Sequence, residues 1–161
     1  MDLKHDGTPV LVLRLDHWGA LGVMRSLGRL GIPVYGMDRS PHAPALRSRY
    51  ARGGYVWDLD AEPPARSVAR LLEIAAELGG RPVLVPSNDE TARLVAAHAD
   101  ALRPAFRLQD NPSELVERLY NKRTMYECAR ALRLPTAETR FPRNREEVRA
   151  FARTAQFPVM L

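Results

Sequence analysis

A chain of 161 residues can hold one ordinary domain, or one domain and part of another, because domains commonly run ~100–200 residues. With 45% hydrophobic and 27% charged residues, the composition excludes a disordered chain. No apolar run approaches the ~18 residues of a membrane span, and Met1 to Asp6 contain no signal-peptide core, so a cytoplasmic protein with no membrane partner is expected.

The net charge of +5 raises nucleic acid as a partner, but the arginines are scattered among acids, with no basic run and no basic–aromatic interleaving, which argues against one. A single cysteine, Cys128, excludes an intramolecular disulfide. Of the 24 basic residues only Lys4 and Lys122 are lysines. A retained lysine suggests a place where a compact point charge is wanted instead of a planar fork.

Pro9 to Leu15 is nearly continuous in apolar residues, as in a central parallel strand covered on both faces. Ala20, Val23, Met24, Leu27 and Leu30 then recur at helical spacing, and Gly31 supplies a C-cap before a second buried strand over Ile32 to Met37. The turn formers between Asp38 and Gly54 predict a long surface loop, followed by a short third strand over Tyr55 to Trp57. A helix over Ala65 to Leu78 ends at Gly79-Gly80. A fourth strand over Pro82 to Val85, a helix over Glu90 to Ala99 and a short strand over Phe106 to Leu108 follow. The alternation predicts an α/β fold with an open, mostly parallel Rossmann-like sheet and helices on both faces.

The pattern changes after Asp110. Asn111 as N-cap and Pro112 at the first helical position predict a helix reaching Leu132, with a break near Asn121. A strand over Glu138 to Phe141, a helix over Arg145 to Thr154 and a final strand over Phe157 to Leu161 are expected. A chain stopping inside an apolar strand reads as part of a longer protein.

Ligands of open α/β sheets bind outside the carboxyl ends of the strands. The first such turn reads Asp16-His17-Trp18-Gly19-Ala20-Leu21-Gly22. It lacks the first glycine of a dinucleotide fingerprint, although Asp38 falls where a ribose-binding acid would. Gly19 and Gly22 suit either close helix-to-strand packing or a ligand-facing turn. After the fourth strand, Ser87 and Glu90 match a capping box. Asn88 and Asp89 stand at a helix N-terminus, where amides suit an anion and Asp89 suits an ammonium. The four histidines, His5, His17, His42 and His98, have no metal-ligand spacing, and Cys128 sits among small and apolar residues that suggest burial. No nucleophile elbow or P-loop occurs.

Taken in order, several stretches resemble the ATP-grasp superfamily of ligases, in particular its carbamoyl-phosphate-synthase-like and amino-acid ligase branches. They are Gly22 to Asp38, Ser48-Arg49-Tyr50, Val83 to Glu90, Asn121 to Tyr126 and Phe157 to Leu161. The resemblance implies a pre-ATP-grasp domain over 1–111, and a linker helix with the first α+β elements of an ATP-grasp domain over 112–161. It implies an ATP- and Mg2+-dependent carboxylate–amine ligase, with Lys122 on an ATP phosphate and Gly19, Gly22, Ser87, Asp89 and Glu90 as candidates for a wall of the substrate cleft. The second ATP lysine, the metal ligands and the catalytic residues would lie beyond this segment, which alone would be inactive. Partners would be a small-molecule carboxylate and amine, and homodimers are among the assemblies the family forms. The alternative is a non-catalytic Rossmann-like domain that binds a nucleotide or a partner protein.

Overall fold

The structure, a computed structural model, describes residues 6–160; Lys4, His5 and Leu161 lie outside that range. Strand β1 (Val10–Leu13) is buried throughout and ends where Arg14 takes a left-handed φ of 65°, two residues before the apolar run does. Helix α1 (Trp18–Arg29) follows. It closes in a Schellman motif: Ile32 donates to the Leu27 carbonyl, and Gly31, at φ 82°, donates to that of Gly28. Then come β2 (Val34–Asp38), β3 (Ala51–Val56), α2 (Pro64–Leu78), β4 (Val83–Pro86), α3 (Asp89–Ala97) and the single turn α4 (Ala99–Leu102).

The sheet is parallel, in the order β3-β2-β1-β4, with Val10 level with Val34 and with Val83. From β1 the chain steps to β2 and β3, then returns across β1 to β4. Right-handed crossovers in opposite directions place α1 and α2 on opposite faces. The core divides accordingly. Leu11, Leu13 and Met37 pack with Leu71 and Ile74 of α2, Val95, Leu102 and Phe106. Val10, Val12 and Val34 pack with Ala20 and Met24 of α1. The alternation of Val10, Leu11, Val12 and Leu13 between two buried faces explains why the strand reads as unbroken apolar sequence.

Two parts of this sheet depart from the sequence expectation. Strand β3 begins at Ala51, not Tyr55, because Gly53 and Gly54 are used for close approach: a Cβ on Gly53 would stand 3.2 Å from Tyr35, and one on Gly54 would overlap Leu46. The preceding loop is not all surface, since Ala43 and Ala45 belong to the core. The short strand at Phe106 to Leu108 shrinks to one parallel bridge between Arg107 and Val83, beside a fully buried Phe106.

The chain forms two compact units, up to Val116 and from Glu117 onward. Helix α5 (Ser113–Tyr120) runs across that division, and the second unit adds α6 (Lys122–Ala131) and α7 (Arg145–Thr154). Helix α5 starts one residue later than expected, with the Pro112 carbonyl accepting from Val116. The break near Asn121 is a true helix start, because its side-chain oxygen accepts from the N–H groups of Arg123 and Thr124 at 2.9 and 3.4 Å. Residues 138–141 and 157–160 form no strand. A strand needs a neighbour, and the described residues of this unit offer none. Phe141 instead packs on the Tyr126 ring, 5.9 Å between centroids, under the Arg123 guanidinium at 4.7 Å. Phe157 and Met160 are 67% and 98% exposed. Cys128 is half-buried, not buried, in a helix that has no fully buried residue.

Candidate functional site

Strand order sets the position of the site. The chain leaves β1 toward β2 and comes back to β4 on the other side, so the topological switch point lies between the carboxyl ends of β1 and β4. The turns after these strands carry Gly19 and Gly22 on one side and Ser87, Asp89 and Glu90 on the other. All five candidates from the first unit therefore share one sheet edge.

The turn after β1 is built from charges. Arg14 at its left-handed position sends its guanidinium to Asp60 at 2.5 Å and to Asp16 at 3.4 Å. The Asp60 hydrogen bond, supported by the charges of Asp60, Asp16 and Asp38, raises the Arg14 pKa against the opposing pull of partial burial. Asp38 is 2% exposed, and its two carboxylate oxygens accept from the backbone N–H groups of Leu15 at 2.7 Å and Ser40 at 2.9 Å. Its carboxylate fastens β2 to the turn after β1, so the ribose-binding position suggested by its place in sequence is filled by backbone donors.

Helix α1 opens from this turn with no side chain capping it. His17 stands at the N-cap position without a side-chain hydrogen bond to the helix, and no acid lies in the first turn. Its leading amides are not satisfied by a side-chain cap, and no acid in the first turn offsets the partial positive charge of the helix end. Beside it, Trp18 is 88% exposed. Gly19 and Gly22 have nothing within 4 Å of a Cβ built on either, which overturns the close-packing reading for both. They put two exposed positions without side chains in the first two helical turns.

The turn after β4 is held to the first. Ser87 donates from its backbone N–H to the Leu13 carbonyl at 3.3 Å and from its hydroxyl to the Arg14 carbonyl. The expected capping box of Ser87 with Glu90 is not formed. Asn88 is the N-cap, accepting from the Thr91 N–H at 3.0 Å, while the Thr91 hydroxyl accepts from the Asn88 N–H at 3.4 Å. Because the hydroxyl of Ser87 is engaged with β1, the reciprocal pair moves one residue on. The reciprocal cap occupies the Asn88 and Thr91 amides, and Asp89 and Glu90 stand as exposed carboxylates in the first turn of this helix.

Lys122 belongs to the second unit, at the first position of α6, and its exposed ammonium has no hydrogen bond or ion pair among the described residues. Of the described histidines, His17 is at the α1 turn, while His42 lies in the loop after β2 and His98 caps α3 and α4. No group of three or more His, Cys, Asp or Glu side chains among the described residues could hold a metal ion. Sequence reasoning missed Arg14 and Asp60. The available signal was Arg14 itself, a charge inside an otherwise apolar run.

No protein-family model matches the chain, and no curated protein matches it. Solved structures do. The L-amino acid ligase of Bacillus licheniformis matches over 94% of this chain and 42% of its own, with a TM-score of 0.65 and 13% identity. The N5-carboxyaminoimidazole ribonucleotide synthetase of Thermotoga maritima matches over 89% of this chain and 36% of its own, with a TM-score of 0.62 and 14% identity. The biotin carboxylase domain dimer of Hydrogenobacter thermophilus 2-oxoglutarate carboxylase, solved with MgADP and bicarbonate, matches over 94% and 33%, with a TM-score of 0.58 and 18% identity. At these identities the likeness establishes the fold. The chain spans between about a third and two-fifths of the length of these three proteins.

Proposed function

We propose that this chain is the amino-terminal part of an ATP-grasp carboxylate–amine ligase, of which it supplies one wall of the substrate cleft and one phosphate-binding lysine. The observation that carries the reading is the reach of the likeness. It extends over 94% of the chain to an L-amino acid ligase, which takes in the helices around Lys122 as well as the parallel sheet. The division into residues 1–111 and 112–161 belongs to the same proposal.

The first unit fits a cleft wall for an amino-acid-like substrate. The uncapped amides of α1, beside side-chain-free Gly19 and Gly22, suit a carboxylate, and Asp89 and Glu90 on the facing turn suit an amine. Ser87 fixes the spacing of the two turns through β1. In the second unit, Asn121 occupies the first free amides of α6, so a phosphate there would be held by the Lys122 ammonium as a point charge. In such ligases ATP supplies a phosphoryl group that activates a carboxylate for attack by an amine. No Mg2+ ligand is assigned to the described residues. A homodimer is part of the proposal, and the dimeric biotin carboxylase domain among the structural neighbours supports it.

The test is product analysis with the full-length protein, ATP, Mg2+ and a panel of amino acids. ADP and an amide-linked product are expected together, and Lys122→Met should raise the KM for ATP about tenfold or more, the loss of one charged hydrogen bond. ATP-independent behaviour toward the whole panel, with Lys122→Met indistinguishable from the parent, would leave a non-catalytic binding domain.

A further inference from the structure

A cavity of about 500 Å3 lies away from the carboxyl edge. It is lined by Arg25, Arg29, Arg47, Ser48, Arg49 and Tyr50. Arg25 and Arg29 are four residues apart on α1, hence on one face. The other four residues lead into β3 and therefore lie at the amino edge of the sheet, the end toward which α1 runs.

Gly28 is what lets the two segments meet, because a Cβ there would overlap that of Tyr50. Arg49 lies over the Tyr50 ring at 4.9 Å and donates to its hydroxyl at 2.8 Å. That bond, with the charges of Arg49 and Arg29, holds the phenol below its usual pKa.

Four guanidiniums surround this cavity, and none forms an ion pair with an acid among the described residues. By contrast Arg14, Arg66, Arg70, Arg103, Arg107 and Arg140 each hold a carboxylate. Converging like charges repel, and the arrangement is relieved by an anion of several charges. Planar forks pair two oxygens at a time on phosphoryl groups, and the volume suits a small molecule. A second copy presenting this same face would set guanidiniums against guanidiniums.

We propose that this cavity binds a small compound carrying a di- or triphosphate group, held by Arg25, Arg29, Arg47 and Arg49. The site lies at the opposite sheet edge from the cleft wall and does not depend on the ligase reading. The measurement is calorimetric titration of the purified chain with inorganic pyrophosphate and tripolyphosphate, with orthophosphate and sulfate as less charged probes. Tripolyphosphate should bind tightest and orthophosphate and sulfate weakest. Arg29→Gln and Arg47→Gln, both at exposed positions, should each weaken pyrophosphate about tenfold or more, whereas Arg149→Gln, at an exposed position on α7, should leave it within twofold. Pyrophosphate should also move the ionisation of Tyr50 to higher pH, as the anion offsets the guanidiniums; phenolate absorbance compared between the parent and Tyr50→Phe reads this. Absence of binding, equal loss in Arg149→Gln, or an unmoved Tyr50 titration would each overturn the assignment.

Discussion

Replacing Asp38 tests whether a buried carboxylate joins the β1 and β2 turns. Its oxygens accept from Leu15 and Ser40, and at 2% exposure no water replaces them readily. In Asp38→Ala both N–H groups lose a charged acceptor, at about 1.5–3 kcal/mol each, so a loss of about 3–6 kcal/mol is expected. That is a large share of the 5–15 kcal/mol typical of a domain. Asp38→Asn keeps one acceptor oxygen and turns an NH2 toward the other N–H, for a loss of about 2 kcal/mol. Urea unfolding followed by Trp57 fluorescence reports on this region, because Trp57 donates its backbone N–H to the Asp38 carbonyl at 2.9 Å and its indole N–H to Ser67 at 3.1 Å. With a slope of about 1–3 kcal/mol per molar urea, the alanine midpoint should fall by about 1 M or more. A loss below about 1 kcal/mol in Asp38→Ala, or an asparagine variant as damaged as the alanine one, would refute the reasoning.

Gly22→Ala should stabilise the chain by about 0.5–1 kcal/mol in thermal unfolding, since the position is helical and open; in the full-length protein, a raised substrate KM in the same variant would mark a cleft position. Gly36→Ala, whose Cβ would overlap Leu15, should cost about 1–3 kcal/mol in the same measurement. Asn121→Ala should lower stability by about 0.5–2 kcal/mol, with hydrogen exchange rising first in the opening turn of α6. Tyr50 and Tyr55 should ionise in that order as pH rises. The Arg49 hydrogen bond lowers Tyr50, whereas burial followed by the Glu77 charge raises Tyr55. The raised Tyr55 pKa contributes stability that is complete below the unfolded-state value and lost as pH climbs through the folded one. Difference absorbance titrations of Tyr50→Phe and Tyr55→Phe would show the order.

Sequence by itself determined the elements whose cause is local. The two-faced apolar run of β1, the spacing of α1 and α2, the glycine stops at Gly31 and Gly79, and the helix break near Asn121 were all legible, because periodicity and backbone conformation act within a few residues. Tertiary structure decided what depends on distant partners. It made β3 from a glycine stretch because Tyr35 and Leu46 needed room there. It denied strands to residues 138–141 and 157–160, beside which no strand stands among the described residues. It also turned Asp38 from a ligand candidate into a backbone acceptor and gathered arginines from α1 and the β3 lead-in around one cavity. Hydrogen bonding across a sheet and convergence of charge require residues far apart in the chain to meet, and composition and spacing carry no record of which ones do.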